Sequence, residues 1–268
     1  MSSALRAQKV LTAIQRELRA GRPRDAARII VDAVDRRIVR GDSELPRLLA
    51  RVLGKGGFTR LIQGFATYPC FYCERGLFKC HFCRGKGASQ GGWVCEPCFG
   101  LGVARCEFCD GAGWATYNFV PDSLRLAVAI RRTSMASTFL KGELKNVRLS
   151  AGAARSGVAK HILELNRLAG VFENAADICR RLSESEPRSR EVLRRIRSRC
   201  AIAWKSILPR LKDLSLQLAE IESKELQRAR STAQSQRIER RARYYARAAT
   251  SGQFAGTSLD HPFLSRSR

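Results

Sequence analysis

Four C-x-x-C pairs crowd into forty residues of a 268-residue chain: Cys70 and Cys73, Cys80 and Cys83, Cys95 and Cys98, and Cys106 and Cys109. Six, eleven and seven residues separate them in turn. Three of the four continue as C-x-x-C-x-G-x-G, with Gly85 and Gly87, Gly100 and Gly102, and Gly111 and Gly113. The first departs from this register, holding Arg75 and Leu77 at the two glycine positions with Gly76 between them. Only Cys179 and Cys200 fall outside the cluster.

Two residues between cysteines let both sulfurs face one point as the chain turns, about 2.3 Å from a tetrahedral zinc. Eight thiolates suffice for two closed sites of four, so the sequence predicts two zinc ions. Just past each pair the backbone must turn sharply around the sulfurs, which favours residues that accept positive φ. A second glycine lets the chain cross closely over its partner knuckle. With Arg75 and Leu77 in those places, the first repeat is expected to turn more loosely and to form the weaker half of its site. A segment this short buries too little apolar surface to fold unaided. Structural zinc supplies an apparent ~10–16 kcal/mol.

A disulfide framework is the alternative use of eight cysteines. The N-terminus, however, carries charges every few residues and lacks the apolar stretch of a signal peptide. In a cytoplasmic protein, the expected location, thiols stay reduced and such spacing reads as metal binding. Thiol-disulfide exchange at one released pair is the only chemistry the sequence offers. There is no Ser/His/Asp set, open metal position or phosphate loop, so no enzyme is expected.

On these residues the chain resembles the cysteine-rich zinc domain of the DnaJ co-chaperones, over about a fifth of its length. The resemblance implies an elongated, β-hairpin-like arm in which repeats one and four share a zinc and repeats two and three share the other. Carried over, Cys70, Cys73, Cys106 and Cys109 form the outer site, and Cys80, Cys83, Cys95 and Cys98 the inner one. The J domain of that family carries a His-Pro-Asp loop between two helices. The only His-Pro here is followed by Phe263, in a tail without helical pattern. Stimulation of the family's ATP-driven partner is therefore not expected, and the chain is more similar to stand-alone DnaJ-related zinc proteins.

Outside the module the pattern is helical. Residues 4–20 and 23–40 read as an amphipathic hairpin broken at Gly21, with Pro23 in a first turn. A short helix over 44–53 precedes "GKGG" at 54–57, read as a linker because Walker spacing is absent. The acid-poor first 24 residues would also suit a transit peptide, but the amphipathic pattern runs smoothly into the second helix. Residues 122–141 predict a helix, and 142–155 a small-residue connection. Two heptad series follow, Val158, Ile162, Leu165, Ala169, Phe172, Ala176 and Cys179, then Leu193, Ile196, Cys200, Ala203, Ile207, Leu211, Leu214, Leu218 and Ile221. They predict an antiparallel helical hairpin or coiled coil. Pro209 should kink or break its second helix. Cys179 and Cys200 fall on the seams as small core residues, and His161, beside a seam, is expected to be solvated.

The expected fold is mainly α, with helical N- and C-terminal units flanking a small two-zinc module. The division reads 1–60 helical unit, 61–118 zinc module, 119–155 short helix and connection, 156–250 hairpin and 251–268 disordered tail. No stretch approaches the length of about eighteen apolar residues that would span a membrane.

The formal charge is +25, but it sits on the helices. Residues 70–118 hold five Lys/Arg against four Asp/Glu, and eight thiolates with two Zn2+ would turn that +1 into −3. The densest basic run contains Arg237, Arg240, Arg241 and Arg243, candidate contacts to nucleic-acid phosphates. Aromatics point elsewhere, because ten of the twenty lie in 70–119. A narrow zinc arm cannot bury them all, so some should pack on the flanking helices and others form an apolar patch. Phe82, Trp93 and Phe99 are the expected client-binding residues. The sequence thus favours a chaperone or assembly protein that binds client chains through the zinc arm. The alternatives are a basic helical nucleic-acid binder and a helical scaffold without a client.

Overall fold

Ile14 and Leu18, one turn apart, are both buried, which fixes the inward face of the first helix, α1 (Ser3–Arg19). Gly21 then adopts φ 73, and Pro23 opens α2 (Pro23–Asp35). The computed structural model describes residues 3–88, 95, 98, 100–149, 155–185, 189–228 and 232–251. Among these are seven helices and one two-stranded sheet. The chain divides into two compact units. One comprises Met1–Phe71, Trp114–Met135 and Asn174–Ser198, the other Tyr72–Gly113, Ala136–Glu173 and Arg199–Arg268.

In the first unit α2 stops at Asp35, five residues short of the expected end at 40. Arg37 turns to φ 55, and the Ile38 N–H donates to Ala33 O at 2.8 Å. This left-handed C-terminal closure turns Val39 inward. The third helix, α3 (Leu45–Ala66), overturns the linker reading of 54–57. Only Gly54 leaves the helical region, at φ 66 and ψ 170, making a kink where a linker was expected. Helix resumes because Leu61, Ile62, Phe65 and Ala66 bury a face beyond it. Gly64 lets the start of α2 abut this segment, since a Cβ there would stand 2.0 Å from Pro23 O.

Two 3-10 turns, Tyr117–Phe119 and Asp122–Leu124, lead into α4 (Arg125–Leu149). Its buried Arg132 donates to Phe65 O at 3.2 Å, Ala66 O at 3.1 Å and Ala115 O at 2.7 Å. The guanidinium also lies 4.7 Å from the Tyr117 ring centroid. One side chain therefore clamps the end of α3, which leads into the cysteine segment, to the stretch of chain that leaves it. Beside it, Ala115 N–H donates to Tyr68 O at 2.8 Å, and the Tyr68 and Phe119 rings lie 4.2 Å apart. These are flanking aromatics packed on helical structure.

The helix α4 continues through 149, where a connection was expected from 142, and residues 150–154 lie outside the described ones. The two long helices are α5 (Arg155–Ser185) and α6 (Arg190–Arg228). In the first unit Arg197 of α6 acts on the Cys179 thiol of α5; in the second, Arg155 of α5 meets Glu222 of α6. The helices therefore run antiparallel. All of the seam residues named above are buried except Ile221, which is half-buried. Burial pushes the Cys179 thiol up to about 12, against the pull of Arg197, as suits a core residue. Pro209 neither breaks nor ends α6. Ile207 and Leu211 are fully buried on either side of it. At about 1.5–3 kcal/mol each, they offset the ~3 kcal/mol of an interior proline. His161 is not simply solvated: its Nδ1 lies 2.5 Å from Glu143 Oε1, and both side chains are largely buried. A last helix, α7 (Thr232–Ser251), completes the second unit. The expected disordered tail falls, beyond Ser251, outside the described residues.

Candidate metal centre

Three of the four cysteine knuckles are turns that aim a backbone N–H at sulfur. Gly87 donates to Cys83 Sγ at 3.2 Å, Gly102 to Cys98 Sγ at 3.3 Å and Gly113 to Cys109 Sγ at 3.3 Å. Such bonds favour the thiolate. The glycines adopt the expected left-handed backbone, with φ 83 and 72 at Gly85 and Gly87, and 74 and 76 at Gly111 and Gly113. They also permit crossing. A Cβ on Gly87 would stand 2.3 Å from Gly100 O, and one on Gly76 would stand 1.9 Å from Gly111 O.

The first knuckle is not loose, contrary to the sequence expectation. Arg75 and Gly76, at φ 51 and 89, form a two-residue hairpin turn closed by Glu74 N–H to Leu77 O at 3.1 Å and Leu77 N–H to Glu74 O at 3.0 Å. Its left-handed pair is displaced by one residue so that Leu77 can start a strand. That strand, β1 (Leu77–Lys79), pairs antiparallel with β2 (Val103–Arg105), with Phe78 opposite Ala104. Cys80 N–H donates to Gly102 O, and Cys106 N–H to Gly76 O, carrying the ladder to the cysteines at each end.

This hairpin brings the knuckles together in nested order. Cys70, Cys73, Cys106 and Cys109 form one cluster, and Cys80, Cys83, Cys95 and Cys98 the other, with the sulfurs of each within 4.8 Å of one another. Cys73 and Cys109 sulfurs lie 3.7 Å apart, Cys80 and Cys95 3.7 Å, and Cys83 and Cys98 3.6 Å. Tetrahedral Zn–S bonds of about 2.3 Å require S···S separations of about 3.8 Å. Disulfides need about 2.05 Å, and all ten cysteines are free thiols. Without metal the thiols are unequal. Burial pushes Cys83 up, but the Gly87 N–H and the facing sulfurs outweigh it and bring it to about 7. Burial lifts Cys95 and Cys98 instead. Burial also opposes ionisation of Cys106, yet the Cys109 and Phe108 amides bring it below the usual thiol range. A divalent cation would ionise all four of a set. The donor chemistry fits two closed tetrathiolate sites that could hold metal ions.

Sequence reasoning missed the way the module rests on helices of its own unit. Gly170 of α5 packs beneath Asp110 O, and Arg105 of β2 pairs with Glu173. At the third knuckle Arg155 reaches Gly100 O at 3.4 Å and bonds Glu222 at 2.8 Å. The Glu222 side chain is fully buried, and Arg241 of α7 lies 2.9 Å from its other oxygen. One of the four candidate phosphate contacts is thus engaged inside the protein. Arg243 pairs with Glu239, Arg240 is half-buried on α7, and the Arg237 side chain lies outside the described residues.

Of the expected client-binding set, Trp93 and Phe99 also lie outside the described residues, and Phe82 is 79% exposed. Two further aromatics stand out. Tyr72 and Phe108, each just before the second cysteine of its knuckle, stack at 4.1 Å while 64% and 56% exposed. Their matched places in repeats one and four were the signal available in the sequence.

No family profile, curated protein or solved structure matches this chain. No described helix is long and apolar enough to cross a membrane.

Proposed function

We propose that this is a non-enzymatic, chaperone-like zinc protein whose two ZnCys4 sites hold an aromatic surface out to partner proteins. The observation that carries the reading is the Tyr72–Phe108 stack. Two large rings packed on each other in water, over a rigid metal knuckle, form an apolar patch that does not need to be exposed for folding. Zinc would fix the knuckles and would do no chemistry, because four thiolates leave it no open position. Exposed Glu74, Glu107 and Asp110 lie within two residues of Tyr72 or Phe108 in sequence and would repel phosphate. They suit an apolar segment flanked by basic residues.

A Y72S/F108S double variant tests this. It should keep two zinc ions yet lose suppression of the aggregation of a basic, apolar client. Undiminished suppression would end the reading. The helical nucleic-acid alternative is weakened by the engagement of Arg241 with Glu222 and Arg243 with Glu239.

A further inference from the structure

The charge of the module is segregated. No acidic residue occurs between Glu74 and Glu96, and the second knuckle carries Lys79, His81, Arg84 and Lys86, all exposed. Among the described residues none of the three cations Lys79, Arg84 and Lys86 forms an ion pair. At the tip between them stands Phe82, 79% exposed. The His81 ring stacks on Phe78 at 5.1 Å, while the neighbouring Phe82 ring is open to solvent. Lys79 leans onto the knuckle, since a Cβ on Gly85 would stand 2.8 Å from its Cε. Four thiolates and one Zn2+ would leave −2 beneath this surface. That charge is buried and receives N–H bonds from Gly87 and Gly102, whereas the cations reach solvent.

We propose that the second knuckle binds single-stranded nucleic acid. Phe82 stacks on an unpaired base, and Lys79, Arg84 and Lys86 hold the neighbouring phosphates. Three cations in a stretch of sequence, 75–95, that contains no acidic residue select a polyanion over an apolar peptide. A ring presented on a knuckle tip can reach the face of a base only where the strand is unstacked. The inference uses the metal-held shape of the module and is independent of the partner-protein reading at Tyr72 and Phe108.

Fluorescence anisotropy of the zinc-loaded full chain tests it. The probes are labelled oligouridylate RNA and oligothymidylate DNA of about twelve nucleotides, with a duplex of equal length, titrated over a range of salt. Both single strands should bind if the site reads base faces and phosphates. RNA alone should bind if a 2′-hydroxyl is also read, and the duplex should be at least about tenfold weaker. F82L should lose about 5- to 150-fold, and F82Y should keep most of the affinity, with two zinc ions in each. K79Q/R84Q/K86Q should flatten the log–log salt slope by about 2, at roughly 0.7 per lost phosphate contact. Equal binding by F82L and wild type would overturn the proposal, as would preference for duplex. So would loss of all affinity in R240Q/R243Q with the K79Q/R84Q/K86Q variant unaffected.

Discussion

Gly170 of α5 lies under the carbonyl oxygen of Asp110, so closely that a Cβ at that position would stand 1.9 Å from it. The fourth knuckle thus packs against a helix, and nearby Arg105 pairs with Glu173 one turn further on. Gly170→Ala should destabilise the zinc-loaded protein by about 2–3 kcal/mol, since backbone must move to admit the methyl group. Helix propensity alone would change stability in the opposite sense by up to about 1 kcal/mol. Thermal unfolding decides, and an unchanged or raised Tm would show that the module does not rest there.

Glu222 couples three helices through Arg155 and Arg241. Glu222→Gln removes the carboxylate charge that faces both guanidinium groups while keeping the shape. Breaking a fully buried pair costs about 3–5 kcal/mol. Both arginines retain partial access to water, so about 2 kcal/mol is expected here. Urea unfolding followed by helical circular dichroism would measure it, and wild-type stability would contradict the network.

The fold was legible where periodicity is local. Ile14 and Leu18, and the seams from Val158 to Leu218, announce their buried faces through spacing alone. The nested cysteine clusters followed from the resemblance rather than from the spacing. Glu222 could not be foreseen, because a glutamate beside a heptad seam reads as solvated until Arg155, 67 positions earlier, is seen to face it. Gly170 was equally silent: within a helix it looks like a weak residue, and its purpose lies in Asp110, sixty residues away. The extension of α3 past Gly54 was missed because a glycine run normally ends a helix, whereas buried Leu61 and Phe65 restart it.

Tyr245 hydrogen-bonds Arg155 and is pushed above the usual phenol range, chiefly by burial. A raised folded pKa means its contribution is fully present below about pH 10 and is lost as pH rises through the higher folded value. Tyr245→Phe should therefore flatten the loss of stability above pH 10 without altering its neutral-to-acid side. An identical alkaline limb in both proteins would show that the phenol is not titrating there.

Arg75 holds φ 51 in the first of two positions of a turn that favours Asn-Gly. Arg75→Asn should tighten the first knuckle by up to about 1 kcal/mol, roughly fivefold in retention of one zinc under a chelator. The other zinc should be released as before. Faster release in the variant would mean that Arg75 does more than make the turn.

The central claim is that two zinc ions are held in nested tetrathiolate sites, and native mass spectrometry of paired serine variants tests it most directly. Wild type should carry two zinc ions. C70S/C106S should keep one, because both changes fall on the outer site, and C70S/C80S should keep none. The opposite pattern, one ion retained in C70S/C80S and none in C70S/C106S, would show sequential pairing and contradict the structure. A wild-type chain that folds fully with no zinc would contradict the account altogether.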